Sequence, residues 1–380
     1  MRPLLFLAIC ALSSSNIFSA LQPFAVSTNG MHDLSATLES HLERTKFPAI
    51  AAAVIEGKNI IAAGVAGVRK AGETNLATLG DKFHIGSCTK SITALLATLL
   101  IQDGTIALTS RVGEVLREWD IPEHAGDITL DQLLHNRSGL GNKPDPDLWS
   151  RAFEASGLPR EQRREFLTEF LNSEPEAEPG STYIYSNIGY SLAGAMMETA
   201  ARMPWEDLVR KKIFEPLRLT SAGFGPPSSF SPHPSSFPHQ PSGHSWRDDE
   251  AQPRRPHDNP AAIAPGGAVH MSILDTARYA AFHLAVARGE VNSLKSFRDT
   301  LYTPPEETDY ALGWVVAKRH WAGGKVLTHS GSNTMFFTVI WIAPEKDMAF
   351  IVSTNVGDRD DYVFNQCDKI VAELIGQFAK

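Results

Sequence analysis

Little cysteine, no basic cluster and no apolar run of bilayer length mark this sequence, and each absence removes a class of protein. Only three cysteines, Cys10, Cys88 and Cys367, stand in 380 residues. That is too few for a disulfide scaffold, even in an oxidising compartment. Formal net charge is −8, with lysine and arginine scattered. Nothing there could track a phosphate backbone, so nucleic acid is not an expected partner. The apolar run Leu4 to Leu12 falls well short of the roughly 20 residues a spanning helix needs, and no stable membrane anchor is expected. His233, His239, His244 and His257 crowd one stretch, but without H-E-x-x-H or paired cysteines no metal is expected, and no cofactor. The G-x-S-x-G elbow of α/β-hydrolases is missing too, since Gly189-Tyr190-Ser191-Leu192-Ala193 lacks the final glycine.

What is present is a globular chain, 43% hydrophobic, with length enough for roughly two domains. Arg2, the apolar run and the small residues to Ala20 read as a signal peptide at 1–20, implying export to a periplasm or the exterior. Leu34, Leu38 and Leu42 have helical spacing. Two β-rich runs, 49–55 and 60–68, flank a turn at Glu56-Gly57-Lys58-Asn59, as in a hairpin. The chain from 105 to about 220 reads as mostly helical. From 223 to 260 proline, serine and histidine replace aliphatic residues, predicting a long surface loop with Gly243-His244 in solvent. A helix is predicted over 273–286, strands over 310–316, 326–329, 336–342 and 348–354, and an amphipathic helix over 364–378.

Strands at both ends with helices between them predict an α/β fold of the α+β type. An antiparallel sheet flanked by helices is built from N- and C-terminal segments, with a mostly helical domain inserted. The α/β domain takes 31–110 and 262–380; the inserted domain takes 111–261 and carries the loop at 223–260.

Three stretches carry chemistry. In Ser87-Cys88-Thr89-Lys90 the serine and lysine share one helix face at i and i+3. A serine hydroxyl needs a neighbour to take its proton, and a lysine can do so when burial lowers its pKa. In Tyr185-Ser186-Asn187 an extended backbone turns the phenol and the amide the same way; the phenol can relay a proton and the amide can hold a substrate carbonyl and the lysine. In His329-Ser330-Gly331-Ser332-Asn333 a strand end can set a backbone N–H opposite that of the serine, glycine allows close approach, and His329 can orient a carboxylate or a proton.

Together these stretches resemble the three signature elements of the serine β-lactamase-related hydrolases, the superfamily of class C β-lactamases, DD-peptidases, D-aminopeptidases and family VIII esterases. Leu133 to Leu140, Pro265-Gly266-Gly267 and Ala311-Leu312-Gly313-Trp314 resemble it as well, and the likeness covers about residues 34 to 375. The resemblance implies a penicillin-binding-like fold and an acyl-enzyme on Ser87. Lys90 and Tyr185 share the base and acid roles, with their order open. Asn187, His329, Gly331 and Ser332 meet the substrate, and the N–H groups of Ser87 and Ser332 hold the oxyanion. The expected partner is a small molecule or peptide with an ester, amide or lactam bond, and esterase or D-amino-acid/DD-peptidase activity is expected over β-lactamase. The rival is a catalytically silent sensor of the same fold. Two departures stand out: His329 where class C enzymes usually carry lysine, and Asn136 where histidine usually precedes Ser-Gly-Leu.

Overall fold

Strands that read as nearly unbroken apolar runs demand cover on both faces, and the fold supplies it. The computed structural model describes residues 21–227, 240–255, 257–357 and 361–379; the expected signal peptide at 1–20, His233 and His239 lie outside them. Helix α1 (Ser35–Thr45) precedes the hairpin of β1 (Ala49–Glu56) and β2 (Asn59–Gly67). Short β3 (Lys82–His84) leads through the tight turn Gly86–Cys88 into α2 (Thr89–Gln102). Among the helices that follow are α3 (Pro146–Glu154), α4 (Pro159–Phe170) and α5 (Asn187–Ala201). The chain then forms β4 (His244–Arg247), β5 (Glu250–Pro253), β6 (Val269–Ser272) and α6 (Ile273–Ala287). It closes with β7 (Val315–Arg319), β8 (Gly324–Ser332), β9 (Phe337–Ala343), β10 (Met348–Thr354) and α7 (Tyr362–Phe378).

The main sheet runs in the order β2-β1-β10-β9-β8-β7, with the short strand His32–Asp33 outside β2. The N-terminal hairpin therefore joins the C-terminal strands at β1 and β10, where Ala53 pairs with Ile351. Period-two alternation divides β1 between two cores. Ile50, Ala52 and Val54 face α1 and α7; Ala51, Ala53 and Ile55 face α6, in a core that continues through α2 into the helical region at Leu133, Leu167 and Met196. Cys88 sits in one core and Cys367 in the other. Helix α2 is buried on all sides from Thr89 to Leu100, packed among α5, the turn Ala264–Gly267 and the helices Trp205–Val209 and Arg298–Tyr302, while α6 covers the sheet. Among the described residues no helix is long and apolar enough to cross a membrane.

Two expectations change. The stretch 223–260 is not simply loop: Gly223–Phe224 pairs with β6, and β4 and β5 form a hairpin. His244 lies buried there, its Nδ1 donating to the Asn355 carbonyl at 2.7 Å and its Nε2 accepting from the Ala71 N–H at 3.0 Å. Backbone pairing and a buried imidazole leave no aliphatic pattern to read. Likewise 310–314 is a turn, closed by Ala311 N–H to the Trp314 carbonyl at 2.8 Å, and the strand begins only at Val315.

In the helical region, buried Arg163 on α4 binds both oxygens of Glu198 at 3.0 and 2.8 Å, reaches Glu206 at 3.1 Å and donates to the Ala261 carbonyl at 3.0 Å. Arg163→Leu would strand two carboxylates in the core, so we expect a loss of about 3–5 kcal/mol in urea unfolding. A loss below about 1 kcal/mol, typical of surface pairs, would contradict this.

Candidate active site

The serine turn and the end of β8 meet backbone to backbone. Strand β7 covers β8 only as far as Thr328, so His329–Ser332 present an edge to the turn. A β-carbon on Gly331 would lie 2.2 Å from the Ile85 carbonyl oxygen and 2.4 Å from the Ser87 nitrogen; one on Gly86, at φ +51°, would lie 2.3 Å from the Ser332 nitrogen. Only glycine fits either place. The Ser87 and Ser332 amides thus lie along one line of contact, next to the half-buried Ser87 hydroxyl.

Lys90, fully buried in the first turn of α2, sends its amine to three oxygens: Asn187 Oδ1 at 2.5 Å, Gly266 O at 2.7 Å and Ser87 Oγ at 3.2 Å. Burial holds its pKa well below the ordinary 10.5. A neutral amine has two N–H bonds and one lone pair. The Asn187 and Gly266 oxygens can only accept, so they take both N–H bonds and leave the lone pair aimed at the serine hydroxyl. Cys88 next door is no rival nucleophile, since burial pushes its thiol up and keeps it protonated.

Tyr185 closes another side. Its hydroxyl contacts Ser87, and burial keeps the phenol protonated. The Lys90 amine stands 4.5 Å from the centre of its ring. The segment is pinned by Asn136, whose left-handed backbone (φ +55°) suits asparagine. Its carbonyl accepts from the Ile184 N–H at 2.8 Å and its Oδ1 from the Ser186 N–H at 3.0 Å. Asn187 then opens α5, capped by Ser186 Oγ on the Gly189 N–H at 2.8 Å.

His329 is only 6% exposed. Its Nδ1 lies 2.6 Å from the Ser330 carbonyl oxygen, an acceptor, so Nδ1 carries the proton. Burial pushes the ring down to about 3. Neutral Nε2 therefore accepts from the Tyr310 hydroxyl at 3.1 Å. Both nitrogens are engaged within the chain.

The structure thus gathers Ser87, Lys90, Tyr185, Asn187, Gly331 and Ser332 around one hydroxyl, with His329 behind them through Tyr310. Sequence reasoning singled out Pro265-Gly266-Gly267 but gave Gly266 no role, since its contribution is a backbone oxygen, and it missed Tyr310, placed in a strand that is a turn. Among the described residues no group of three or more His, Cys, Asp or Glu could hold a metal ion.

A family model described as Beta-lactamase matches residues 34–366. The chain belongs to that family. It is 24% identical over 349 residues to an unguisins hydrolase of Aspergillus campestris, covering 87% of this chain and 62% of the fungal protein. Against penicillin-binding protein 4 of Amycolatopsis lactamdurans identity is 23% over 325 residues, 82% of this chain and 81% of that protein. The octameric penicillin-binding protein homologue from Pyrococcus abyssi shares the fold, with a TM-score of 0.71 at 24% identity over 90% of this chain and 76% of that one. Membership of this family places the chain among serine hydrolases.

Within this Beta-lactamase family member, His329 is buried and held by Ser330 and Tyr310. The ring geometry predicts that nitrogen NMR finds His329 as the neutral Nδ1–H form across roughly pH 5 to 9, whereas an exposed histidine titrates near 6.5. A titration near that ordinary value would mean the ring is not locked.

Proposed function

We propose that this chain hydrolyses esters or amides of small molecules or short peptides through an acyl-enzyme on Ser87, as an esterase or D-amino-acid peptidase with weak or no β-lactamase activity. The observation that carries the reading is the buried Lys90 amine, 2.5 Å from Asn187 Oδ1, 2.7 Å from Gly266 O and 3.2 Å from Ser87 Oγ; in its neutral form it gives its two N–H bonds to the first two and its lone pair to the hydroxyl.

In this scheme Ser87 Oγ attacks the carbonyl carbon and gives its proton to Lys90. The charge that develops on the carbonyl oxygen rests on the N–H groups of Ser87 and Ser332. Tyr185, protonated and in contact with Ser87, hands a proton to the leaving group and recovers one from Lys90, so both end neutral. Water then attacks the acyl-enzyme by the reverse relay. Asn187 positions the lysine and, with the Gly331–Ser332 edge, the substrate.

Position 329 bears on the substrate class. A carboxylate beside the scissile bond, as in penicillins, would meet a neutral imidazole with no free N–H. That favours substrates uncharged at this point. The Arg2 and Leu4–Leu12 leader supports an exported protein.

A fluorophosphonate should label Ser87, and Ser87→Ala should abolish the label; a folded protein that stays unlabelled would instead be a silent binder. Lys90→Ala and Tyr185→Phe should each lower kcat by about 10²–10⁴-fold with the fold intact, as expected for lost acid–base assistance. The pH profile carries a sign. Below its pKa Lys90 is protonated and has no lone pair, so kcat/KM falls as pH drops. That acid limb should lie well below the ordinary lysine value of 10.5. An acid limb at 10.5 would remove Lys90 from the base role.

A further inference from the structure

Behind the serine turn lies a buried carboxylate that the acyl-transfer scheme does not use. His84, the last residue of β3, is completely buried. Its Nδ1 lies 3.0 Å from the Gly86 nitrogen. Since a backbone N–H can only donate, Nδ1 is the acceptor and the ring proton sits on Nε2. That Nε2–H donates to Asp258 Oδ2 at 3.0 Å, with only 6% of the Asp258 side chain exposed. The other carboxylate oxygen, Oδ1, accepts from Asn333 Nδ2 at 3.1 Å. Asn333 in turn accepts, through its Oδ1, the N–H groups of Met335 at 3.2 Å and Phe336 at 3.0 Å, which shapes the turn leaving β8 just after Ser332.

One carboxylate therefore ties both walls of the contact. Its His84 arm holds the Gly86 N–H, one residue before Ser87, and its Asn333 arm starts next to Ser332 and holds the Met335 and Phe336 N–H groups of the following turn. The two arms come from distant parts of the chain, and Asp258 comes from a third. Charge-assisted hydrogen bonds of this kind, out of water, resist bending more than neutral ones do. We propose that Asp258 is a positioning residue that sets the spacing of the Ser87 and Ser332 N–H groups, with His84 and Asn333 as its two arms. The inference rests on the proposed oxyanion role of those two amides. Asp258 touches neither substrate nor nucleophile; it acts through the backbone of its partners.

The test compares kcat/KM for p-nitrophenyl acetate with that for p-nitrophenyl thionoacetate, in which sulfur replaces the carbonyl oxygen and accepts hydrogen bonds poorly. Loss of an aligned oxyanion donor is worth about 10²–10³-fold, so the wild-type enzyme should prefer the oxygen ester by a factor of that order. In Asp258→Ala the oxygen ester should slow by about 10–100-fold while the thionoester changes little, shrinking the preference at least tenfold. The near-isosteric Asp258→Asn, which keeps the shape but lacks the second acceptor, should move the ratio the same way and serves if the alanine variant does not fold, as checked by circular dichroism. Full wild-type discrimination in a folded variant, even one with reduced rate, would overturn the clamp alone. A wild-type enzyme indifferent to the sulfur would overturn the oxyanion assignment and the clamp with it.

Discussion

The site depends on keeping one amine out of water. Lys90 lies in the first turn of a helix buried on every side, where an unpaired ammonium would cost several kcal/mol. The neutral form is tolerated because its two N–H bonds find oxygens on different elements, Asn187 at the start of α5 and Gly266 in the turn before β6. Helix α2 packs against both of those segments, so both oxygens reach the amine. The desolvation that lowers the lysine pKa is therefore part of the same burial that packs α2 into the core.

A second constraint is how closely two backbones can approach. Gly86 and Gly331 leave the serine turn and the β8 edge close enough that any side chain would collide with a main-chain atom of the other. Position 329 belongs to this packing too: the ring that could have faced a substrate carboxylate is turned to Ser330 and Tyr310 and kept neutral. Membership of the Beta-lactamase family is thus compatible with a site that offers no cation at that place, which bears on the substrates the chain can take.

Much of the fold was legible because it rests on local periodicity. Runs such as Ala49–Glu56 and Met348–Thr354 announce strands buried on both faces, and Glu56 to Asn59 marks the hairpin turn, so the joining of N- and C-terminal segments in one sheet could be anticipated. The Ser87–Lys90 neighbourhood was legible for the same reason, since three residues on a helix bring side chains together. The β4–β5 hairpin was not, because its pairing is carried by the backbone of a stretch without aliphatic residues. Nor was the hold of Asn136 on the tyrosine segment, which works through its carbonyl as much as its side chain.

By itself, then, the sequence determined which residues alternate, which share a helix face and where glycine permits a close approach, all of which follow from neighbours along the chain. Only the tertiary structure decided which nitrogen of His329 holds the proton, that the Lys90 amine reaches Ser87, Asn187 and Gly266 together, and that Asp258 reaches both His84 and Asn333. Protonation and hydrogen-bond direction depend on which donors and acceptors surround a group and how much water is excluded. Those surroundings come from segments far apart in the chain, and they exist only once it has folded.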